Sequence, residues 1–346
     1  VVSLYQLIIF LLRMINMEIQ KPYLLFLGDA HDILAAKVAI GIKQWHPEYC
    51  VGQFRMEDCH ADCQLPDMDI ATAKAVGAKT LVIGVANRGG IISDKWISIL
   101  TEALEAGMDL ASGLHNRLTD VPEIKALADK LGRKLFDVRH PTQTFPVANG
   151  KKREGKRLLP VGTDCSCGKM YTALAIEKEM LERGMKATFR ATGQTGILIS
   201  GAGVSIDAVV SDFVAGAVEV LAPANDADHW DVIEGQGSLF HPSFAGVTTG
   251  IIHGAQADAL VLCHEPTRTT MRGVDYPIVD LGECMALNLA MAKLTNPNAR
   301  FVGISVNTAK LAEKEAIALM ADIEEKYGLP TVDPFRQGMG RIVDQL

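Results

Sequence analysis

RLLPVGTDCSCGKMYTALAIEKEMLERG, residues 157–184, is the stretch on which the fold turns. Arg157 to Val161 is an apolar run of strand length, and Lys169 to Arg183 carries a helical pattern stopped by Gly184. Between them lie Gly162, Thr163, Asp164, Cys165, Ser166, Cys167, Gly168 and Lys169. A glycine-rich turn that joins a strand to a helix and ends in lysine is the arrangement of a P-loop. Backbone N–H groups and the positive end of the helix surround phosphate oxygens, and the lysine supplies a point charge. Two departures from the usual pattern matter. Five residues separate the glycines instead of four, and Met170 stands where a Ser or Thr normally helps hold magnesium. Thr172 is the hydroxyl that would substitute in part. The loop, continuing through Tyr171, is therefore expected to hold a phosphorylated cofactor without splitting a nucleotide.

Working outward toward the C-terminus, strands are expected at Ala187 to Arg190, Asp231 to Glu234, Ala259 to His264 and Arg300 to Val306, separated by helix-length intervals. In a parallel sheet, ligands bind beyond the carboxyl ends of the strands. The polar loops there are Arg190 to Gly196 with Gln194, then Glu234 to Ser238 with Gln236 and His241, then His264 to Arg268, and Asn307-Thr308. Asn307 is placed to read an adenine edge or, equally, to form a turn. SIDAVVSDFVAGAVEVL, residues 205–221, reads as a helix carrying Asp207 and Asp212, one as a starting cap and one on a solvated face. Apolar helices such as Met285 to Leu294 read as core by default.

The N-terminal half repeats the alternation on a smaller scale. Tyr23 to Gly28 and Thr80 to Ala86 read as strands, Ile33 to Trp45, Asp94 to Ala106 and Val121 to Leu131 as helices, and KLFDVR at 134–139 follows the last of these. Its Gly28-Asp29 turn lacks the spaced glycines of a dinucleotide fingerprint. Asn87-Arg88-Gly89-Gly90 is a strand-end loop in which Arg88 is a candidate ligand-binding residue. Val1 to Ile15 is apolar, too short to span a bilayer, and reads as an extension or a loosely docked arm. The expected organisation is an extension at 1–20, a doubly wound α/β domain at 21–140, a linker at 141–156 whose basic run GKKREGK reads as a solvated connector, and a P-loop α/β domain at 157–346.

The formal net charge of −7 disfavours an electrostatic grip on nucleic acid or an anionic membrane, so a small-molecule substrate is the expected partner. Seven cysteines, an odd number scattered along the chain, read as reduced thiols in a cytoplasmic protein. Cys59-His60 with Cys63 lacks the second ligand pair of a structural zinc site, and no metal is expected.

The motifs GTDxxxGK at 162–169 and EGxG at 234–237 resemble the dethiobiotin-synthetase branch of P-loop proteins, and Asn307 is placed like that branch's adenine-reading Asn. A closer resemblance covers the chain from about Tyr23 onward. FDVRHP (136–141), VGTDCSCGKMYTAL (161–174), ATGQTGILISGAG (191–203), EGQGSL (234–239) with His241-Pro242, HEPTR (264–268) and GLPTVDPFR (328–336) resemble the D-glutamate N-acetyltransferase family. That resemblance implies a Rossmann-like N-terminal domain and a P-loop C-terminal domain. It also implies acetyl transfer from acetyl-CoA to the amine of D-glutamate as the first step of D-glutamate catabolism. A homo-oligomer is expected, separately from the resemblance. Coenzyme A carries a 3′-phospho-ADP unit, so a P-loop would grip it with no need for hydrolysis.

Such a reaction needs a base for the ammonium, donors for an oxyanion, and guanidinium forks for two carboxylates. Glu234 is the expected base, with Asp207, Asp212 and His264 as rivals, because a carboxylate at a buried strand end can have its pKa raised. Arg190 and Arg268 are the expected forks, with Arg88 a possible contribution, and Gln194, Gln236 and Ser238 are expected to orient substrate or donate to the oxyanion. The competing readings are an ATP- and magnesium-dependent ligase or kinase, against which Met170 speaks, and a nucleotide sensor without turnover.

Overall fold

Short apolar runs alternating with helical segments fold here into two parallel sheets, as βαβ connections require. The computed structural model describes residues 19–346 apart from Leu34 and Arg88. Two units result: the chain up to Gln143 together with Gly193–Ala208, and Thr144–Thr192 together with Val209–Leu346. The expected extension at Val1 to Ile15 lies outside the described residues. Among those described, no helix is long and apolar enough to cross a membrane.

The sheet of the first unit runs β2-β1-β3-β4-β5, with β1 at Tyr23–Gly28, β2 at Cys50–Arg55, β3 at Thr80–Ile83, β4 at Asp109–Ser112 and β5 at Leu135–Asp137. β1 and β3 are buried along their whole length because both faces are covered, which is why they read as unbroken apolar runs. Helices α1 (Lys37–Trp45), α2 (Ile70–Ala75), α3 (Asp94–Glu105) and α4 (Pro122–Leu131) connect the strands. α1 starts later than its periodicity suggested. Trp96 on α3 is 1% exposed, meets Phe26 edge to face at 5.3 Å and donates its indole N–H to Asp29 at 3.0 Å. The helix at Gln194–Ser200 also belongs to this unit, buries Ile197, Leu198 and Ile199, and packs on α1.

The second sheet runs β11-β10-β9-β6-β8-β7. Its elements in chain order are β6 (Lys156–Gly162), α5 (Lys169–Glu182), β7 (Ala187–Arg190), α6 (Gln194–Ser200, the helix counted with the first unit), α7 (Val214–Leu221), β8 (Trp230–Ile233), α8 (Ala245–Ala255), β9 (Ala259–His264), α9 (Leu281–Lys293), β10 (Arg300–Val306), α10 (Glu313–Tyr327), β11 (Thr331–Val332) and α11 (Gly340–Val343). Central β6, flanked by β8 and β9, delivers the glycine-rich turn.

Three local readings differ from expectation. Residues 205–221 are not one helix: 3-10 turns at Ile206–Ala208 and Ser211–Phe213 precede α7, and Val210 between them is extended. Met285 to Leu294 is buried on one side only, through Asn288 and Ala292, while Leu287 and Leu294 are exposed. The basic run at 150–156 is not a solvated connector. Arg153 donates to the carbonyls of Ala222 and Gly254 at 2.8 and 2.7 Å, and Lys152 to Asp258 at 2.7 Å. Arg157, fully buried, donates to the carbonyls of Arg153, Glu154 and Pro223 at 3.0, 3.0 and 2.8 Å. These cations satisfy backbone oxygens at the amino edge of the sheet, a use that composition does not reveal.

Candidate functional site

The turn after β6 closes tightly. Ser166 at its apex takes φ 52°, and Gly168 takes φ 109°, a value that side chains rarely adopt. Lys169, 5% exposed, donates to the Asp164 carbonyl at 2.7 Å, so its ammonium is held within the turn. Close packing supports this arrangement: a Cβ on Gly162 would fall 2.5 Å from Cys167 Sγ. One on Gly235 would fall 1.8 Å from the Pro160 carbonyl oxygen, so only glycine lets the β8 loop lie against β6.

Asp164 organises the turn from inside. It is 1% exposed and accepts from the Cys165 N–H at 2.7 Å, the Arg272 N–H at 2.9 Å and the Arg268 guanidinium at 2.7 Å. Burial alone would raise its pKa; the Arg272 N–H, the Arg268 guanidinium and the Cys165 N–H together outweigh that and hold it below the ordinary value. Arg268 also donates to the carbonyls of Cys165 and Ser166 at 2.7 and 2.8 Å and faces Glu265 at 2.9 Å through Nε. Every nitrogen of its guanidinium thus faces the turn or Glu265. Arg272, which no motif flagged, donates to the Ser166 hydroxyl at 2.7 Å and brings a second guanidinium to the apex.

Thr172 is buried, and its hydroxyl pairs with Ser305 on β10 at 2.7 Å. It is therefore engaged in the sheet core. Tyr171, in the first turn of α5, meets the ring of Phe335 edge to face at 5.5 Å.

Glu234, 6% exposed at the end of β8, accepts from the Thr192 N–H at 2.8 Å, while the Thr192 hydroxyl donates to the Glu234 carbonyl at 2.8 Å. Gln236 donates to that same hydroxyl at 3.2 Å. Ser238 is fully buried and accepts from the Phe240 N–H at 3.3 Å. His264, at the end of β9, shares a hydrogen bond with the Thr163 hydroxyl at 3.0 Å; burial lowers its pKa, so the ring is neutral near pH 7. Asn307, at the end of β10, accepts from the Ala309 N–H at 3.2 Å through its side-chain oxygen.

The remaining candidates lie differently. Arg190 pairs through Nε with fully buried Asp231 at 2.7 Å, where Asn225 also donates. Asp207 and Gln194 belong to the first unit, where Asp207 pairs with Arg139 at 2.6 Å and accepts from Ser205 at 2.9 Å. Asp212 sits exposed on the 3-10 turn at Ser211–Phe213. Arg88 lies outside the described residues.

Asp164, Cys165 and His241 bring potential ligand atoms within 4.8 Å of one another. Their donors are already committed, Asp164 as above and His241 to the Arg272 carbonyl at 3.1 Å and the Ser243 N–H at 3.2 Å. Burial raises the Cys165 pKa.

A domain of unknown function described as a P-loop domain (DUF1611_C) matches residues 146–343, and its Rossmann-like N-terminal counterpart (DUF1611_N) matches residues 52–141. The chain belongs to this family. It is 60% identical over 329 residues to a D-glutamate N-acetyltransferase of Tritonibacter scottomollicae, covering 95% of this chain and 99% of that one. A Pseudoalteromonas sp. protein of the same name is 49% identical over 95% of this chain and its whole length. A crystal structure of a DUF1611 family protein from Anabaena variabilis superposes with TM-score 0.84 at 32% identity, covering 94% of this chain and 99% of that one. Both expected domain types, the Rossmann-like and the P-loop, are thus found in this chain.

Proposed function

We propose that the chain is an acyltransferase that moves an acetyl group to the amine of D-glutamate, with acetyl-CoA as the donor. The observation that carries this reading is the 60% identity, over 95% of the chain, to a relative named for that activity. The geometry of the turn is compatible with it. A phosphate cradle with Lys169 and Arg272 at hand, but Met170 and an engaged Thr172 at the magnesium positions, suits gripping a diphosphate better than transferring a phosphoryl group. All seven cysteines are free thiols, which supports a reducing, cytoplasmic setting.

Attack on the thioester requires the neutral amine. Glu234, buried at a strand end beside the cradle strand, is our choice for the group that takes the ammonium proton. The amine then adds to the thioester carbonyl, the tetrahedral oxyanion collapses, and the C–S bond breaks to leave the coenzyme thiol and the N-acetylated product. In the competing ligase or kinase reading, Lys169 would polarise a γ-phosphate and Glu234 would help hold magnesium.

The test incubates the protein with D-glutamate and either acetyl-CoA or MgATP. Free thiol together with N-acetyl-D-glutamate is expected; ADP formed only with the amino acid would favour the ligase, and binding without product the sensor. Glu234→Gln is expected to lower kcat about 10²- to 10⁴-fold with little change in the KM for acetyl-CoA. Full turnover by that variant would remove Glu234 from the base role.

A further inference from the structure

Phe335 carries an exposed aromatic ring on a loop that is laced to its neighbours. The ring is 59% exposed, yet its backbone is fixed by Asp333, which is only 3% exposed. One carboxylate oxygen of Asp333 accepts from the N–H groups of Phe335 and Arg336 at 2.9 and 3.3 Å. The other accepts both the N–H and the hydroxyl of Thr308, on the loop after β10. Arg336 reaches back to the carbonyls of Thr308 and Leu311 at 3.3 and 2.9 Å. The loops that follow the paired strands β10 and β11 are therefore tied into one body, and Phe335 projects from it against Tyr171 in the first turn of α5.

That turn begins at Lys169, at the phosphate cradle itself. Asn307 stands at the end of β10, next to Thr308, with its side-chain oxygen accepting from the Ala309 N–H at 3.2 Å. A flat aromatic, a carboxamide and a glycine-rich turn thus all follow the carboxyl ends of strands of one sheet, and they are the group types that suit a base and its phosphates. We infer that Phe335 is the stacking platform for the adenine of the acyl donor's 3′-phospho-ADP moiety, braced by Tyr171, and that the Asp333 network exists to hold it ready.

This rests on the acetyl-CoA reading, and the experiment separates the two. Full-length wild type, Phe335→Ala and Phe335→Trp are compared in steady-state thiol release, together with inhibition by 3′-phospho-ADP, which lacks the pantetheine arm. Phe335→Ala is expected to raise the KM for acetyl-CoA and the Ki of 3′-phospho-ADP by a similar factor, about tenfold, the scale of one lost base–aromatic stack. kcat and the KM for D-glutamate should stay within about twofold of wild type on this view, and Phe335→Trp should restore both nucleotide constants. A thermal melt checks that the exposed-site variants remain folded. Wild-type turnover with unchanged nucleotide constants in Phe335→Ala would overturn the platform and leave the activity standing, as would a rise confined to the KM for D-glutamate. Wild type that neither releases thiol nor is occupied by 3′-phospho-ADP would overturn both.

Discussion

Arg268 shows how far a single letter carries. An arginine at a strand end was expected to clasp a substrate carboxylate, but its guanidinium is distributed among Asp164, Glu265 and two carbonyls of the turn. A lysine there keeps the charge and loses the fork. Arg268→Lys is therefore expected to weaken CoA binding at least tenfold, since more than one charge-assisted hydrogen bond is lost, while the KM for D-glutamate holds. Titration calorimetry with CoA and the D-glutamate KM check this, and the opposite pattern would return Arg268 to the substrate. What sequence does convey at this scale is chemistry type: Lys169, Glu234 and Asn307 stand at strand or helix ends of the kind expected. It does not convey partners. Nothing in the letters 264–272 says that the Arg272 backbone and the Arg268 side chain meet one buried carboxylate.

At the scale of elements, the long buried strands were legible, and short β7 at a sheet edge was legible as well. β1, β6, β9 and β10 are apolar runs because they lie inside their sheets, and each was expected close to where it occurs. β2 is an edge strand with mixed burial, β4 begins with Asp109 and ends with Ser112, and β11 has two residues; none has a pattern long enough to see. The strand that carries the cradle also begins with a hidden constraint. Arg157 is fully buried and bonded to carbonyls of its own approach segment, with Asp231 the first of the neighbouring charges that favour its cationic form against the opposing effect of burial. Removing the cation leaves those oxygens without donors and Asp231 less compensated. Arg157→Met is expected to cost about 3–5 kcal/mol of unfolding free energy, measured by urea denaturation; a loss below about 1 kcal/mol would show that water takes over its role.

At the scale of the whole molecule, the two units are not two consecutive pieces of chain. The polypeptide leaves the first unit after Gln143, returns to it for Gly193–Ala208, and leaves again. A sequence reading that assigns domains as continuous intervals has no means of seeing this, because ATGQTGILISGAG follows β7 without any compositional break. The returning segment supplies buried Ile197, Leu198 and Ile199 and the Asp207 partner of Arg139. A fragment ending at Gln143 is therefore expected to melt at a lower temperature than the same unit in the full chain and to bind a hydrophobic dye, and a peptide of residues 193–208 added to it should reverse both. An unchanged melt would show that the segment is dispensable.

That return has a bearing on how the protein is born. On the ribosome, all five strands of the first sheet are synthesised before the residues that cover α1 have been translated, so this unit waits, incompletely clad, until the start of the next one is made. Completion of the first unit therefore needs translation to run on through β6 and β7, which precede the returning segment in the chain.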